Sequence, residues 1–150
     1  MGLFSKCPLL LALFIVLWNG LVFSASLDAT TDNIFNPMTK VIIYNNLESG
    51  VNVYLHCKSK DDDLGIQALS IGSSFKWKFH DNFLRTTLFF CGFTWENVNG
   101  TFDIYVAKRD SCVTCVWRVR RDGVHGYDDD GSEKHFFAWR LPKKDGEKKN

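Results

Sequence analysis

Apolar and polar side chains alternate in short runs along much of this 150-residue chain. In the clearest run, Phe75, Trp77 and Phe79 alternate with Lys76 and Lys78. Successive side chains of a β-strand point to opposite faces of the sheet, so this pattern predicts a strand with one buried face. No stretch of useful length shows the helical repeat of about 3.6 residues. The pattern therefore predicts an all-β fold.

Further runs of strand-forming residues are separated by turn signals. Asn99-Gly100 and Asp122-Gly123 are dipeptides that favour the tight turns of β-hairpins. Together the runs predict an antiparallel sandwich or barrel of about seven to eight strands. The predicted strands are residues 41–44, 51–57, 75–79, 87–93, 102–106, 115–120 and 137–141.

The N-terminal segment has the composition of a secretory signal peptide. Lys6 precedes an apolar run from Leu9 to Phe23, and the small residues Ser24, Ala25 and Ser26 follow. That order is typical of a cleaved signal, and the run is too short and too interrupted for a membrane span. We therefore expect residues 1–25 to be removed, and the mature protein to be extracellular without stable membrane insertion.

Three regions follow the signal peptide. Residues 26–39 form a polar leader, residues 40–141 the β domain, and residues 142–150 a charged tail that we expect to be mobile. Removal of Lys6 leaves 17 basic and 17 acidic residues. A balanced charge argues against a nucleic-acid partner, and we expect a monomer without a cofactor.

Four of the five cysteines remain after cleavage, namely Cys57, Cys91, Cys112 and Cys115. An even number of cysteines in a short secreted chain predicts two disulfides. A bridge between Cys112 and Cys115 would close a very small loop. We therefore expect Cys57 and Cys91 each to pair with one member of that couple, with the partners left open.

Asn99-Gly100-Thr101 is the only glycosylation sequon, and its predicted turn would expose Asn99 to modification. Two acidic triplets, Asp61–Asp63 and Asp128–Asp130, are each followed by a glycine, Gly65 or Gly131. Three consecutive aspartates do not match the alternate spacing of a calcium-binding loop, so solvated loops are the expectation and no metal site is predicted.

A nuclease would need paired histidines for acid–base chemistry. His56 near Lys58, with a second histidine as partner, is the candidate set, and the possible partners are His80, His125 and His135. The chain has neither the His-Gly-Leu-Trp setting of secreted plant ribonucleases nor a serine-nucleophile motif. We therefore predict no catalytic residues.

Several segments resemble the plant self-incompatibility S-protein homologue family. The specific one is His56-Cys57-Lys58-Ser59-Lys60-Asp61-Asp62-Asp63-Leu64-Gly65. Residues 75–79, 87–95, 112–119 and 122–124 follow in the family's order, so the resemblance covers roughly 40–141. It implies a small secreted β-sandwich stabilised by disulfides. Only the charged tail and the sequon depart from a minimal family member.

The founding members of that family, in poppy, are pistil ligands that engage a receptor on pollen and arrest self pollen. The resemblance therefore implies an extracellular ligand for a plant cell-surface receptor. A secreted defence or stress protein acting on microbes or the wall is the alternative, and a ribonuclease is a third. The candidate contact loops are Lys58–Leu64, Asn97–Gly100, Lys108–Asp110 and Tyr127–Lys134. Their chosen contact residues are Lys58, Lys60, Asp61, Asp62, Asp63, Asp128, Asp129 and Asp130.

Overall fold

The computed structural model describes residues 37–48 and 50–140. Within them the chain forms nine strands and no helix. The predicted signal peptide, the charged tail and most of the polar leader lie outside the described residues. The strands are β1 (Thr39–Asn45), β2 (Val53–Lys58), β3 (Asp63–Leu69), β4 (Ser74–Phe79), β5 (Leu88–Trp95), β6 (Val98–Val106), β7 (Thr114–Val119), β8 (Gly123–Tyr127) and β9 (Glu133–Ala138).

The strands form two sheets that pack face to face. The five-stranded sheet has the order β4-β1-β7-β8-β9, and the four-stranded sheet has the order β3-β2-β5-β6. Inward side chains of both sheets meet in one aromatic-rich core, in which Trp117, Phe93 and Ile43 are almost completely buried. Phe102 from one sheet stacks on Phe137 from the other, with ring centroids 5.2 Å apart. The all-β sandwich prediction is confirmed.

Two strands and one pairing differ from the sequence prediction. β3 was missed because Gly65 interrupts it and Ile66 is exposed, so its alternation is weak. β8 was missed because two glycines lie in its five residues and four of the five are buried. β1 and β7 pair in parallel, whereas the other six strand pairs among the described residues are antiparallel.

The predicted turn at Asn99-Gly100 is wrong, because both residues lie within β6. The hairpin instead turns at Glu96-Asn97, between the paired residues Trp95 and Val98, and Glu96 has a positive φ of 47°. Gly100 serves packing rather than a turn. A Cβ there would approach the Phe102 ring to 2.8 Å.

The two predicted disulfides are present, but the expected pairing is wrong. Cys57 on β2 lies directly opposite Cys91 on β5, and these two cysteines are bonded. Cys112 and Cys115 are bonded to each other with their Cα atoms 5.3 Å apart, a separation that a disulfide spans readily. The small loop that we regarded as unfavourable is accommodated where the chain enters β7.

Candidate functional site

Four connecting segments lie at one end of the sandwich, which we call the loop end. They are residues 59–62, 80–87, 107–113 and 128–132. In the five-stranded sheet, the start of β1 lies beside the end of β4 on one side and beside the start of β7 on the other. In the four-stranded sheet, Lys58 lies opposite both Asp63 and Phe90, and Leu88 lies opposite Val106.

The loop end contains three of the four predicted contact loops. Residues 58–64, 108–110 and 127–134 meet there because the strands that they connect begin or end at that edge. The fourth, Asn97–Gly100, lies at the opposite end beside the Glu96-Asn97 turn. The structure therefore assembles three candidate loops into one surface and separates the fourth from it.

The first acidic triplet is divided between structure and surface. The Asp63 carboxylate accepts hydrogen bonds from the Gly65 backbone N–H and from His56, and it pairs with Lys58 Nζ at 2.9 Å. These hydrogen bonds, from His56 first and then from Lys58 and the Gly65 amide, hold the pKa of Asp63 well below its usual range. Lys60, Asp61 and Asp62 remain exposed.

Ser59 shapes the turn that presents those exposed residues. Its hydroxyl accepts hydrogen bonds from the backbone N–H groups of Asp61 and Asp62, at 3.2 and 2.9 Å. Its own N–H donates to the Asp62 carbonyl oxygen at 2.8 Å. Gly65 lies inside β3, where it has a positive φ of 72° beside a register shift in the pairing of β3 with β2. The predicted turn at this glycine is therefore wrong, because the residue belongs to an irregular part of the strand.

The second triplet is also only partly free. Asp129 accepts hydrogen bonds from the Val113 and Thr114 backbone N–H groups, at 2.8 and 2.6 Å, and so ties its turn to the Cys112–Cys115 loop. Asp130 accepts bonds from both the N–H and the hydroxyl of Ser132, which lower its pKa. Asp128 lies 3.9 Å from Lys134 Nζ. Asp129 is therefore a poor candidate for a contact residue.

Asp110 anchors the segment 107–113, although its side chain is only 4% exposed. Its carboxylate pairs with Arg109, accepts the Val106 N–H at 2.8 Å and lies 2.8 Å from His135 Nε2. Burial alone would raise the pKa of Asp110, but the bonds from Arg109 and Val106 outweigh burial and lower it. Of the predicted loop Lys108–Asp110, Lys108 and Arg109 are exposed while Asp110 is buried.

The most exposed part of the loop end was absent from the sequence prediction. Phe83 is 99% exposed and Leu84 is 72% exposed, at the tip of the segment 80–87. A turn closes beneath them, with the Arg85 N–H donating to the Asn82 carbonyl and Arg85 at a positive φ of 51°. The Asn82 side chain bonds Thr86 twice, each at 2.7 Å.

A further contact fixes this turn to the neighbouring segment. The Arg85 guanidinium donates to the Ala107 carbonyl oxygen at 2.7 Å. The Tyr105 hydroxyl also holds this segment, since it donates to the Asp81 carboxylate at 2.9 Å. The pKa of Tyr105 is raised to about 12, mainly by burial. A shallow groove separates the turn from Lys60–Asp62. Phe83-Leu84 could have been noticed as an apolar pair outside any alternating run.

Asn99 lies on the exposed face of β6, opposite Thr94 of β5. The sequon therefore occupies a strand rather than a turn, with Asn99 and Thr101 both exposed and Gly100 partly buried. An exposed side chain is what a glycan needs, and glycosylation at Asn99 stays a prediction.

Two histidines of the nuclease hypothesis, His56 and His125, lie on opposite outer faces of the sandwich. His56 lies on the outer face of the four-stranded sheet beside Asp63. His125 lies opposite Arg118 on the outer face of the other sheet and contacts Asp122 and Glu133. His135 bonds the buried Asp110. Because both sheets separate His56 from His125, these two side chains cannot act on the same phosphate.

In residues 37–48 and 50–140, no group of three or more metal-ligating side chains is arranged to hold an ion. The same residues contain no helix long and apolar enough to cross a membrane.

Comparison with known proteins gives consistent matches. Residues 40–139 match the family model described as plant self-incompatibility protein S1. S-protein homolog 6 of Arabidopsis thaliana is 43% identical over 109 residues, covering 70% of this chain and 79% of the relative. S-protein homolog 28 of the same plant is 47% identical over 109 residues, covering 68% of this chain and 69% of the relative.

A solved structure has the same fold. It represents the SPH (self-incompatibility protein homologue) proteins, described as a widespread family of small, highly stable, secreted proteins from plants. The TM-score is 0.58 at 20% identity, and the match covers 72% of this chain and 99% of the other.

Proposed function

This chain belongs to the plant self-incompatibility protein S1 family, and from that premise we propose that it is a secreted ligand recognised by a plant cell-surface receptor through its loop end. Secretion is supported by the signal-like N-terminus, in which Lys6 precedes the apolar run 9–23. It is also supported by the description of the related solved structure as that of secreted plant proteins.

The exposed Phe83-Leu84 pair is the observation that carries the receptor proposal. An aromatic side chain that is 99% exposed contributes nothing to the core, and exposed apolar groups rimmed by charge are typical of interaction sites. Lys60, Asp61 and Asp62 supply that charge across the shallow groove. An apolar centre with a polar rim is the usual arrangement of a protein–protein interface.

The same turn is rigid in the way that a binding surface requires. Its backbone and side chains are held by the Asn82–Thr86 bonds and by the bond from Arg85 to Ala107. A pre-organised apolar pair loses less conformational entropy on binding than a flexible one. Phe83 and Leu84 are therefore the expected centre of the receptor contact.

The test is displacement of labelled mature protein from plant cells that bind it. We expect the double variant Phe83→Ser/Leu84→Ser to bind at least about tenfold more weakly, the loss expected for two central interface residues. Asp61→Ser/Asp62→Ser is expected to weaken binding about threefold, because rim charges contribute less. Asp63 and Asp129 are left unchanged because both hold the loops together.

A matched control lies at the other end of the sandwich. Ile71 is 49% exposed in the segment between β3 and β4, so Ile71→Ser removes a comparable apolar side chain away from the loop end. We expect this control to bind like the parent. Equal binding by the parent and the folded Phe83→Ser/Leu84→Ser variant, or an equal loss in Ile71→Ser, would contradict the loop-end proposal.

A further inference from the structure

The outer face of the five-stranded sheet carries a concentration of positive charge. We define the basic face as Lys40 on β1, Lys76 and Lys78 on β4, and Arg118 and Arg120 at β7. Each alternates with a residue that points into the core, such as Val41, Trp77 and Trp117. The five cations therefore project together from one side of the sandwich.

These charges are poorly compensated by the protein itself. Lys40 lies directly opposite Lys78, and Lys76 follows two residues away on the same face. Like charges directly opposite on neighbouring strands are destabilising. Among the described residues, no carboxylate lies within 4.0 Å of any of the five cationic groups. The whole chain has a net charge of only +1, so the positive charge is segregated rather than general.

Four carboxylates border the arginine side of the basic face, and each has another partner. Asp129 accepts the Val113 and Thr114 amides, and Asp128 lies near Lys134. Asp122 contacts His125, and Glu133 accepts the Tyr127 hydroxyl. None of the four pairs with the lysine row on β1 and β4. An anion arriving from solution would be the natural counter-charge of this row.

Two tyrosines hold the arginines in place. The Arg118 guanidinium lies over Tyr44 and Tyr127, at 5.4 and 5.7 Å from the ring centroids, and Arg120 lies 6.0 Å from Tyr127. A guanidinium stacked on a ring keeps N–H donors along its edge, in a fork that matches a carboxylate. The stacking therefore pre-organises the basic face for carboxylates and covers the ring faces that a nucleic-acid base would need for stacking.

The shape of the basic face indicates an extended ligand. Its charges spread over three neighbouring strands, about 4.8 Å apart from strand to strand and about 7 Å apart along each strand. An open depression lies at the arginine end of this face, lined by Arg118, Arg120 and Tyr127, but its lining does not include the lysines of β1 and β4. A small molecule in the depression would contact only the arginines, whereas an extended ligand reaches both groups of cations. Among the described residues, none of the large exposed apolar side chains lies within β1, β4 or β7, although Phe136 on β9 and Val113 before β7 border this face. The basic face thus has little apolar surface to insert into a bilayer.

We propose that the basic face binds an acidic polysaccharide whose sugar units carry carboxylates, such as the polyuronate of a plant cell wall. Cations spaced along the strands of one sheet face complement a polymer with regularly spaced carboxylates. This inference rests on the proposed function in one respect, because only a secreted protein meets a polysaccharide of the cell wall. The contact itself is independent of the receptor, because the basic face and the loop end have no residue in common.

The experiment measures binding of the purified mature protein to polygalacturonate and to the same polymer with its carboxyls methyl-esterified. We expect binding to the free acid only, weakening at least about tenfold between about 50 mM and about 300 mM NaCl because salt screens exposed charges. The variant Lys76→Gln/Lys78→Gln should lower affinity about tenfold, since two contacts are lost. Arg118→Lys keeps the charge but loses the planar fork, and should lower affinity about threefold.

Lys60→Gln/Lys108→Gln is the matched control, since it removes the same charge from exposed residues of the loop end. It should bind polygalacturonate within about twofold of the parent, because its lysines lie in the loops 59–62 and 107–113 and not on the outer face of the five-stranded sheet. Equal losses in both double variants, equal binding to the esterified polymer, or stronger retention on phosphatidylserine vesicles or RNA would each overturn the proposal. Failure of receptor displacement would not affect this result, so the two proposals are tested separately.

Discussion

Gly126 on β8 lies beneath the buried ring of Trp117, its partner on β7. A Cβ at this position would come within 2.7 Å of the ring, closer than carbon atoms normally approach. Trp117 itself is 2% exposed and stacks on Phe137, so it has little room to move. The φ of Gly126 is not in the left-handed region. Close packing against the ring, and not the backbone conformation, is therefore what requires a glycine here.

Gly126→Ala is expected to lower the free energy of unfolding by about 1–3 kcal/mol, because overpacking forces the ring or the strand to shift. Gly92→Ala on β5 is the control, since its added carbon would meet nothing closer than 3.8 Å. That substitution should be neutral or slightly stabilising, because alanine has less freedom to lose on folding. Denaturant titration of both variants measures the difference. Equal destabilisation by the two changes would show that ring contact is not the cause.

The aspartates show how little residue type says about role. Asp61, Asp62 and Asp63 are adjacent and chemically identical, yet Asp63 alone pairs with Lys58 and caps the Gly65 amide. In the other triplet, Asp129 alone reaches the Cys112–Cys115 loop. Each difference depends on which way a turn points one side chain. The sequence predicted a loop at each triplet, but Asp63 already lies in β3, and the different contacts of the aspartates depend on geometry.

At the scale of elements, the crossing segment 107–113 is attached to both sheets through Asp110. The carboxylate bonds the Val106 amide at the end of β6 and His135 on β9. Arg109 pairs with it and lies 6.0 Å from the Phe137 ring. The alternating pattern of the strands predicted the elements on either side but not this attachment, because a buried ion pair has no sequence period.

The lowered pKa of Asp110 gives this attachment a pH dependence. The pKa is lower in the folded state than the unfolded value of about 3.9, so the stabilisation is complete above that value and lost as the pH falls through the folded pKa. Asp110→Asn should therefore reduce stability at pH 7 by about 1–3 kcal/mol, and reduce it less at about pH 2. Thermal unfolding at several pH values measures this.

Asp61→Asn is the control for Asp110, because Asp61 is exposed on its loop. Its effect should stay within about 0.5 kcal/mol at every pH, as for most surface substitutions. If Asp110→Asn and the parent lose stability in parallel between pH 7 and acid, the buried carboxylate does not supply the pH dependence that we assign to it.

At the scale of the whole molecule, the two disulfides close loops of very different length. Cys57–Cys91 spans 34 positions and joins neighbouring strands of one sheet, whereas Cys112–Cys115 spans three. A cross-link stabilises a protein mainly by restricting its unfolded chain, and the effect grows with loop length. The two bonds should therefore contribute unequally, although all four cysteines are buried.

Replacing Cys57 and Cys91 with alanine should lower the free energy of unfolding by about 4 kcal/mol from chain entropy. The same change at Cys112 and Cys115 should lower it by about 2 kcal/mol. Each pair serves as the control for the other, since both changes remove two buried sulfur atoms. Denaturant titration compares them. A larger loss of stability from the Cys112–Cys115 pair would mean that the attachment of this disulfide loop to Asp129 matters more than loop length.

The sequence by itself determined the all-β class, most of the strands with their buried faces, the two disulfides and the family resemblance. These features are carried by residues near one another in the chain, whose alternation and spacing can be read directly. Secretion and the modification of Asn99 remain predictions from the same kind of local signal.

Only the tertiary structure decided which cysteines pair and that β1 lies parallel to β7. The same structure decided that the turn carrying Phe83-Leu84 shares a groove with the acidic turn. It also decided that Lys40 faces Lys78 across two strands. The physical reason is that these relations join residues far apart in sequence. They follow from strand order and register, which no local period encodes.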